Sequence, residues 1–183
     1  MEIKSRLIKI LLVFLTSLLI WGLTSCEFGE IRSAEKVLYE MIRAEKDLPA
    51  GKIYSMKSTK GAPDYISESL LSALYGNGNE ELPQALERAE DMALRLSSGI
   101  SCFELAVFLC PTVRDAREIA DLCLARIDSM KHFFNANSEK LGIHESCAEN
   151  IKNAKVTVVG RYAIMAVSPN AEECIKSAKN AIS

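Results

Sequence analysis

Glu104 is the one carboxylate in an otherwise apolar run from Ile100 to Cys110. A charge in such a run needs a cation or an uncovered face, because an unpaired buried carboxylate is costly. Arg126 and Arg161 are the cations expected to meet it, as a structural ion pair first and as part of a binding site second. Tyr162, beside Arg161, reads the same way: a sheet-packing aromatic that is also a candidate binding contact. Thiol chemistry is the other possibility, since His144-x-x-Cys147 could set a base beside a nucleophile or begin a metal site. A zinc site takes three or four ligands, however, and no nearby cysteine or histidine completes one by spacing, so no metal is expected. Gly76-Asn77-Gly78-Asn79 lacks the Lys-Ser/Thr that follows a phosphate loop and the strand that precedes one. No serine nucleophile elbow or His-Glu-x-x-His occurs either. The sequence nominates no catalytic residue and no cofactor.

Cys26 belongs to a different chemistry. Lys4, Arg6 and Lys9 stand against a single Glu2, and Ile10 to Ser25 then runs for sixteen residues without a charge. A spanning helix needs roughly 20 apolar residues, so this basic-then-apolar pattern fits a secretory signal better than a permanent anchor. Its end, Leu23-Thr24-Ser25-Cys26, resembles the lipobox of bacterial lipoproteins, in which small residues precede an obligatory cysteine. Small side chains let the backbone lie close in a signal peptidase, and the Cys26 thiol can take a diacylglyceryl group before cleavage leaves it as the new N-terminus. Each buried methylene is worth about 0.8 kcal/mol, and two acyl chains hold where one binds only marginally. The expected partner is therefore the membrane, through a diacylglyceryl anchor on Cys26, with the rest of the chain on the extracytoplasmic face. An uncleaved signal anchor, with Cys26 an ordinary interfacial thiol, is the alternative.

Removing residues 1–25 leaves 19 basic against 23 acidic residues, a formal charge of −4. The remaining cations are interleaved with carboxylates, which argues against a nucleic-acid partner. Five cysteines stay behind: Cys102, Cys110, Cys123, Cys147 and Cys174. An odd number cannot all pair internally, and no Cys-x-x-Cys occurs. Most are expected to be small buried hydrophobes, with a Cys102–Cys110 or Cys123–Cys174 bridge left open.

The elements that position these groups follow from periodicity. Ile31 to Leu48 has helical spacing and ends at Pro49-Ala50-Gly51; Lys52 to Lys57 is a weak strand; Ile66 to Tyr75 is helical. A further helix is expected from about Pro83 to Leu96, with Glu87, Arg88, Glu90 and Asp91 as its solvated face. Phe103, Leu105, Val107 and Leu109 alternate with Cys102, Glu104, Ala106, Phe108 and Cys110, which marks a central strand buried on both faces. Thr112 and Asp115 form a capping-box pattern that opens a long helix as far as Phe134. A polar loop is expected from about Asn135 to Asn153. Lys155 to Val159 and Tyr162 to Val167 then flank Gly160-Arg161, the pattern of a type II′ hairpin, and a last helix starts at Ser168-Pro169 or at Asn170. The fold class is α+β: a small antiparallel sheet with helices mainly on one face, behind an N-terminal signal or anchor helix. The segments are 1–25 as signal peptide, 26–63 as N-terminal helix and connection, and 64–183 as the extracytoplasmic domain.

From about Ile66 onward the chain resembles the bacterial lipoproteins grouped as domain-of-unknown-function family 4358, common in Gram-positive anaerobes. The resemblance lies in "ELAVF" (Glu104 to Phe108), "ARIDSM" (Ala125 to Met130) and "VTVVGRYAIMAVSPNAE" (Val156 to Glu172). It implies a membrane-attached extracytoplasmic domain and supplies no catalytic residues. The sequence thus leads to a non-catalytic lipoprotein module that binds an envelope protein, a wall polymer or a small ligand. An envelope hydrolase or thiol-redox protein using Cys147 with His144, or another thiol, is the alternative.

Overall fold

Alternating apolar residues build a five-stranded antiparallel sheet from β1 (Gly51–Ser55), β2 (Asp91–Ser97), β3 (Glu104–Leu109), β4 (Lys155–Val159) and β5 (Tyr162–Val167), in the order β1-β2-β3-β5-β4. Six helices surround it among the described residues: α1 (Ala34–Ala44), α2 (Glu68–Tyr75), α3 (Gln84–Glu87), α4 (Val113–Leu141), α5 (Glu145–Asn153) and α6 (Ala171–Ile182). The protein is α+β. This computed structural model describes residues 31–76, 81–98, 101–141 and 145–183, so the signal segment, Cys26 and His144 lie outside the described residues.

β3 sits at the centre, and its register assigns the two cores. Glu104 pairs with Leu96 and Val167, Ala106 with Leu94 and Met165, and Phe108 with Met92 and Ala163. These residues face one layer, which α2, α3, α4 and α5 cover. Leu105, Val107 and Leu109 face the other with Ala93, Ile164 and Ala166, under α1 and α6, which pack against each other. Both faces of β3 are buried along its whole length.

Arg32–Ser183 folds as one unit, so the N-terminal segment contributes its first helix and an edge strand. α1 buries Ala34, Val37, Leu38 and Met41 at three-four spacing, and the Ser33 hydroxyl caps it by accepting from Lys36 N at 3.3 Å. Thr112 Oγ1 accepts from Asp115 N at 3.1 Å and opens α4 as the capping pattern requires. Gly160 has φ +54° while Arg161 stays out of the left-handed region, the combination of a primed turn with glycine first.

Two expectations fail. The segment from Pro83 to Leu96 is not one helix: α3 ends at Glu87, and Asp91–Ser97 is strand β2, between β1 and β3. Met92, Leu94 and Leu96 supply one face of that strand, while Asp91 and Arg95 point to the other and are buried rather than solvated. The polar loop from Asn135 to Asn153 is mostly helical, because α4 continues to Leu141 and α5 occupies Glu145–Asn153. A polar segment holds as a helix here because α5 buries Cys147 and Asn150, and Asn150 Nδ2 donates to Ser101 O at 3.2 Å. At 29 residues α4 is long, but no helix among the described residues is both long and apolar enough to cross a membrane.

Candidate functional site

Glu104 opens β3 on the face toward α2 and α4 and is 1 % exposed. Tyr75, the last residue of α2, donates its hydroxyl to Glu104 Oε1 at 2.8 Å. Arg126 from α4 approaches from the other side, and its Nε and Nη2 both donate to Oε2 at 3.2 Å. The buried carboxylate thus receives three donors and one full countercharge, which is what its burial demands. Tyr75 also stands edge-on to Phe108, with ring centroids 5.6 Å apart at 85°.

This environment fixes protonation states. Burial, and then the Glu104 charge, push the Tyr75 phenol well above its ordinary value. The same two causes raise the thiol of Cys123, one turn before Arg126 on α4. Tyr75 and Cys123 therefore keep their protons at neutral pH. Chemically the group is a clasp that ties the central strand to two helices, with only the Arg126 side chain, 23 % exposed, reaching toward solvent.

Arg161 and Tyr162 lie at the opposite end of β3, where Tyr162 pairs with Leu109. Arg161 Nη1 donates to Glu90 Oε1 and Oε2 at 3.2 Å each and to Pro111 O at 3.4 Å, not to Glu104. Tyr162 donates its hydroxyl to Arg32 O at 2.6 Å and holds the start of α1 on the sheet. The four candidates from the sequence therefore form two separate places, Glu104 with Arg126 and Arg161 with Tyr162.

Several groups were not visible in the sequence. Asp91, 3 % exposed, accepts from Ala34 N at 2.9 Å through Oδ2 and meets Lys57 Nζ at 3.1 Å, so a strand residue anchors the first turn of α1. Arg95, 5 % exposed, donates to Leu96 O at 2.7 Å and Pro49 O at 2.6 Å. Among the clefts lined by described residues are two beside α5. One, of about 420 Å³, lies between α4 and α5, with Ile127, Phe134 and Ile151 as apolar lining and Asp128, Lys131 and Lys152 as charges. A more polar one, of about 390 Å³, lies beside the start of α6, between Lys152, Lys155 and Glu173. The first was hidden because its α5 wall, Ala148, Ile151 and Lys152, lies in the stretch read as loop.

No disulfide joins the five described cysteines. Cys102 and Cys110 lie beyond opposite ends of β3, far outside the Cα separation of about 4.4–6.8 Å that a bridge allows. Cys123 and Cys174 belong to the cores on opposite faces of the sheet. Neither bridge left open by the sequence can form in this fold. Burial, followed by the charges of Asp115 and Glu90, pushes the Cys110 thiol up to about 12. Cys174 is raised by burial and by its 3.0 Å hydrogen bond to Glu45 Oε1. Among the described residues no cluster of histidine, cysteine and carboxylate has the makings of a metal site.

No family model, curated protein or solved structure matches this chain.

Proposed function

We propose that this protein is a bacterial envelope lipoprotein whose extracytoplasmic domain binds a partner in the same layer without catalysing a reaction. The observation that carries the reading is Leu23-Thr24-Ser25-Cys26 at the end of a basic, then apolar, leader. Two acyl chains on Cys26 would hold the mature chain on the membrane, and only seven residues separate Cys26 from the start of α1 at Ala34. A tether that short keeps the domain in the membrane-proximal layer and raises its effective concentration for any partner there. The cleft between α4 and α5, part apolar and part charged, is the place offered to a ligand or a partner side chain.

Against the hydrolase or thiol-enzyme alternative stand the thiols themselves: Cys110, Cys123, Cys147 and Cys174 are all shifted toward the protonated form. The deciding experiment is the intact mass of protein extracted from membranes, beside Cys26→Ala. Loss of residues 1–25 with gain of a diacylglyceryl group, absent in the variant, is the expected result. A full-length, unmodified mass would sink the lipoprotein reading. Binding is tested separately, by pulldown from membranes and ligand-induced thermal shift; failure of both would count against a binding module.

A further inference from the structure

The sheet has two edge strands, and the fold treats them differently. Alongside β1 run residues 64–66: Ser55 N donates to Asp64 O at 2.9 Å, and Ile66 N donates to Ser55 O at 3.3 Å. Along β4, no described residue outside the ladder to β5 bonds to the backbone of Lys155–Val159. The ladder decides which groups are left over. Cys110 N donates to Arg161 O at 2.9 Å, so Ala163, Met165 and Val167 turn their backbone groups to β3, and Tyr162, Ile164 and Ala166 turn theirs to β4. Their partners Val159, Thr157 and Lys155 are thereby used. Val156 and Val158 point the other way, each with one N–H and one C=O directed outward. Proteins blunt such an edge with charges, proline or bulges. β4 has Lys155 at its start and then only Val156, Thr157, Val158 and Val159, all half-buried and in unbroken register.

We propose that β4 is the interface of a two-fold dimer, in which a second copy of the chain adds its own β4 antiparallel and makes the two sheets continuous. The strand is complementary to itself. With the axis at Thr157, Val156 lies opposite the partner's Val158, and Lys155 opposite the partner's Val159. Val156 N–H then donates to the partner's Val158 C=O, and Val158 N–H to the partner's Val156 C=O. The two-fold repeats both bonds, so every outward N–H and C=O of Val156 and Val158 in both copies is satisfied. Thr157 meets its own counterpart at the close, non-hydrogen-bonded position, where threonine pairs are favourable. Moving the axis to Val156 or Val158 sets an outward valine against Ala154 or Gly160, beyond the strand. Charge agrees with the central register, because the two Lys155 residues then lie about 13 Å apart along the strand, beyond a Debye length of about 8 Å. This match of the strand to itself favours a second copy over a foreign strand. A ladder of five residues is a small interface, so pairing depends on protein concentration.

The test uses the full chain carrying Thr157→Cys, oxidised with copper phenanthroline in detergent at several protein concentrations and run on a non-reducing gel. The parent and Lys155→Cys run beside it, and urea midpoints confirm that all three are folded. Residues at a close antiparallel pair have Cα atoms about 4.5 Å apart, within disulfide reach, so Thr157→Cys should give at least about tenfold more linked dimer than either control. The dimer should increase with concentration, and its digest should contain two copies of the peptide carrying position 157 joined to each other. Val158→Pro, added to Thr157→Cys, removes an outward N–H and no bond to β5, so the hairpin stands while the link should fall about tenfold. Equal linking at positions 155 and 157, a link from position 157 to a different protein, or no link in the folded Thr157→Cys chain would overturn the proposal. None of these outcomes depends on lipidation of Cys26, so this proposal and the envelope reading stand or fall separately.

Discussion

Arg126 and Glu104 form a two-pronged ion pair at 3.2 Å, in which a helix lends its cation to the first residue of the central strand. Removing one partner from such a pair is far more costly than removing both, since it leaves a buried charge without compensation. Arg126→Leu is expected to cost about 3 kcal/mol in urea unfolding. Adding Glu104→Gln should recover much of that loss, because the amide can still accept from Tyr75. An Arg126→Leu protein as stable as the parent would show that Glu104 does not rely on this cation.

Stability should decline on the alkaline side. Cys110 and Cys147 are pushed up to about 12 from an ordinary 9.0, chiefly by burial, and Cys123, Cys174 and Tyr75 are shifted in the same direction. Above pH 9 the unfolded chain releases these protons while the native state keeps them. Native stability is thus fully present below pH 9 and is lost as pH climbs toward 12. Urea midpoints measured from pH 7.5 to 11 should fall across that window, less steeply in Cys110→Ala; a flat profile would contradict the burial of these thiols.

On the acid side the group to follow is Asp115. Its carboxyl lies below the ordinary 3.8, held there first by the Thr112 hydroxyl and then by Arg88, which donates to it at 2.8 Å and also pairs with Glu118. The unfolded chain takes up this proton first, so the contribution is present above pH 3.8 and is lost as pH falls through the lower native value. Asp115→Asn should flatten the dependence of Tm on pH below 4 while leaving the slope near neutrality unchanged. An unaltered acid limb would mean that other carboxylates carry it.

Gly51 on β1 lies tightly against β2. A Cβ there would overlap the Arg95 guanidinium and the Leu96 carbonyl, and the carbonyl belongs to the neighbouring strand's backbone and cannot swing away. Gly51→Ala should cost about 1–3 kcal/mol and speed hydrogen exchange at Lys52 to Ser55 before it affects β3. Uniform exchange across the sheet would argue that β1 is not the part displaced.

What could be read from the sequence follows from which residues carried an undisguised period. β3 and the β4–β5 hairpin alternate without interruption, Gly160 marks the turn, and α1 and α6 repeat at three-four spacing. β2 was misread because two of its inward positions carry charges, Asp91 and Arg95. Their partners, the Ala34 amide, Lys57 and the Pro49 and Leu96 carbonyls, are brought to them by the fold. α5 was misread for a related reason: its buried Asn150 finds its acceptor at Ser101, far away in sequence. Losing α5 also lost one wall of the cleft. Arg126 was legible as a partner for Glu104 because a lone carboxylate in a central strand must find a cation; nothing local pointed to Tyr75.

The packing of α1 on α6 has a consequence for the order of events during synthesis. The first helix of the domain and the last together cover one face of the sheet, so that core cannot close until the final dozen residues are available. β3 likewise waits for β5, which arrives only after α4, α5 and β4 have been made. Such distant pairings must be reached before they repay the entropy of closing the intervening chain, which slows folding. Until α6 has emerged, a growing chain of this topology presents an open sheet with an uncovered first helix to whatever handles it.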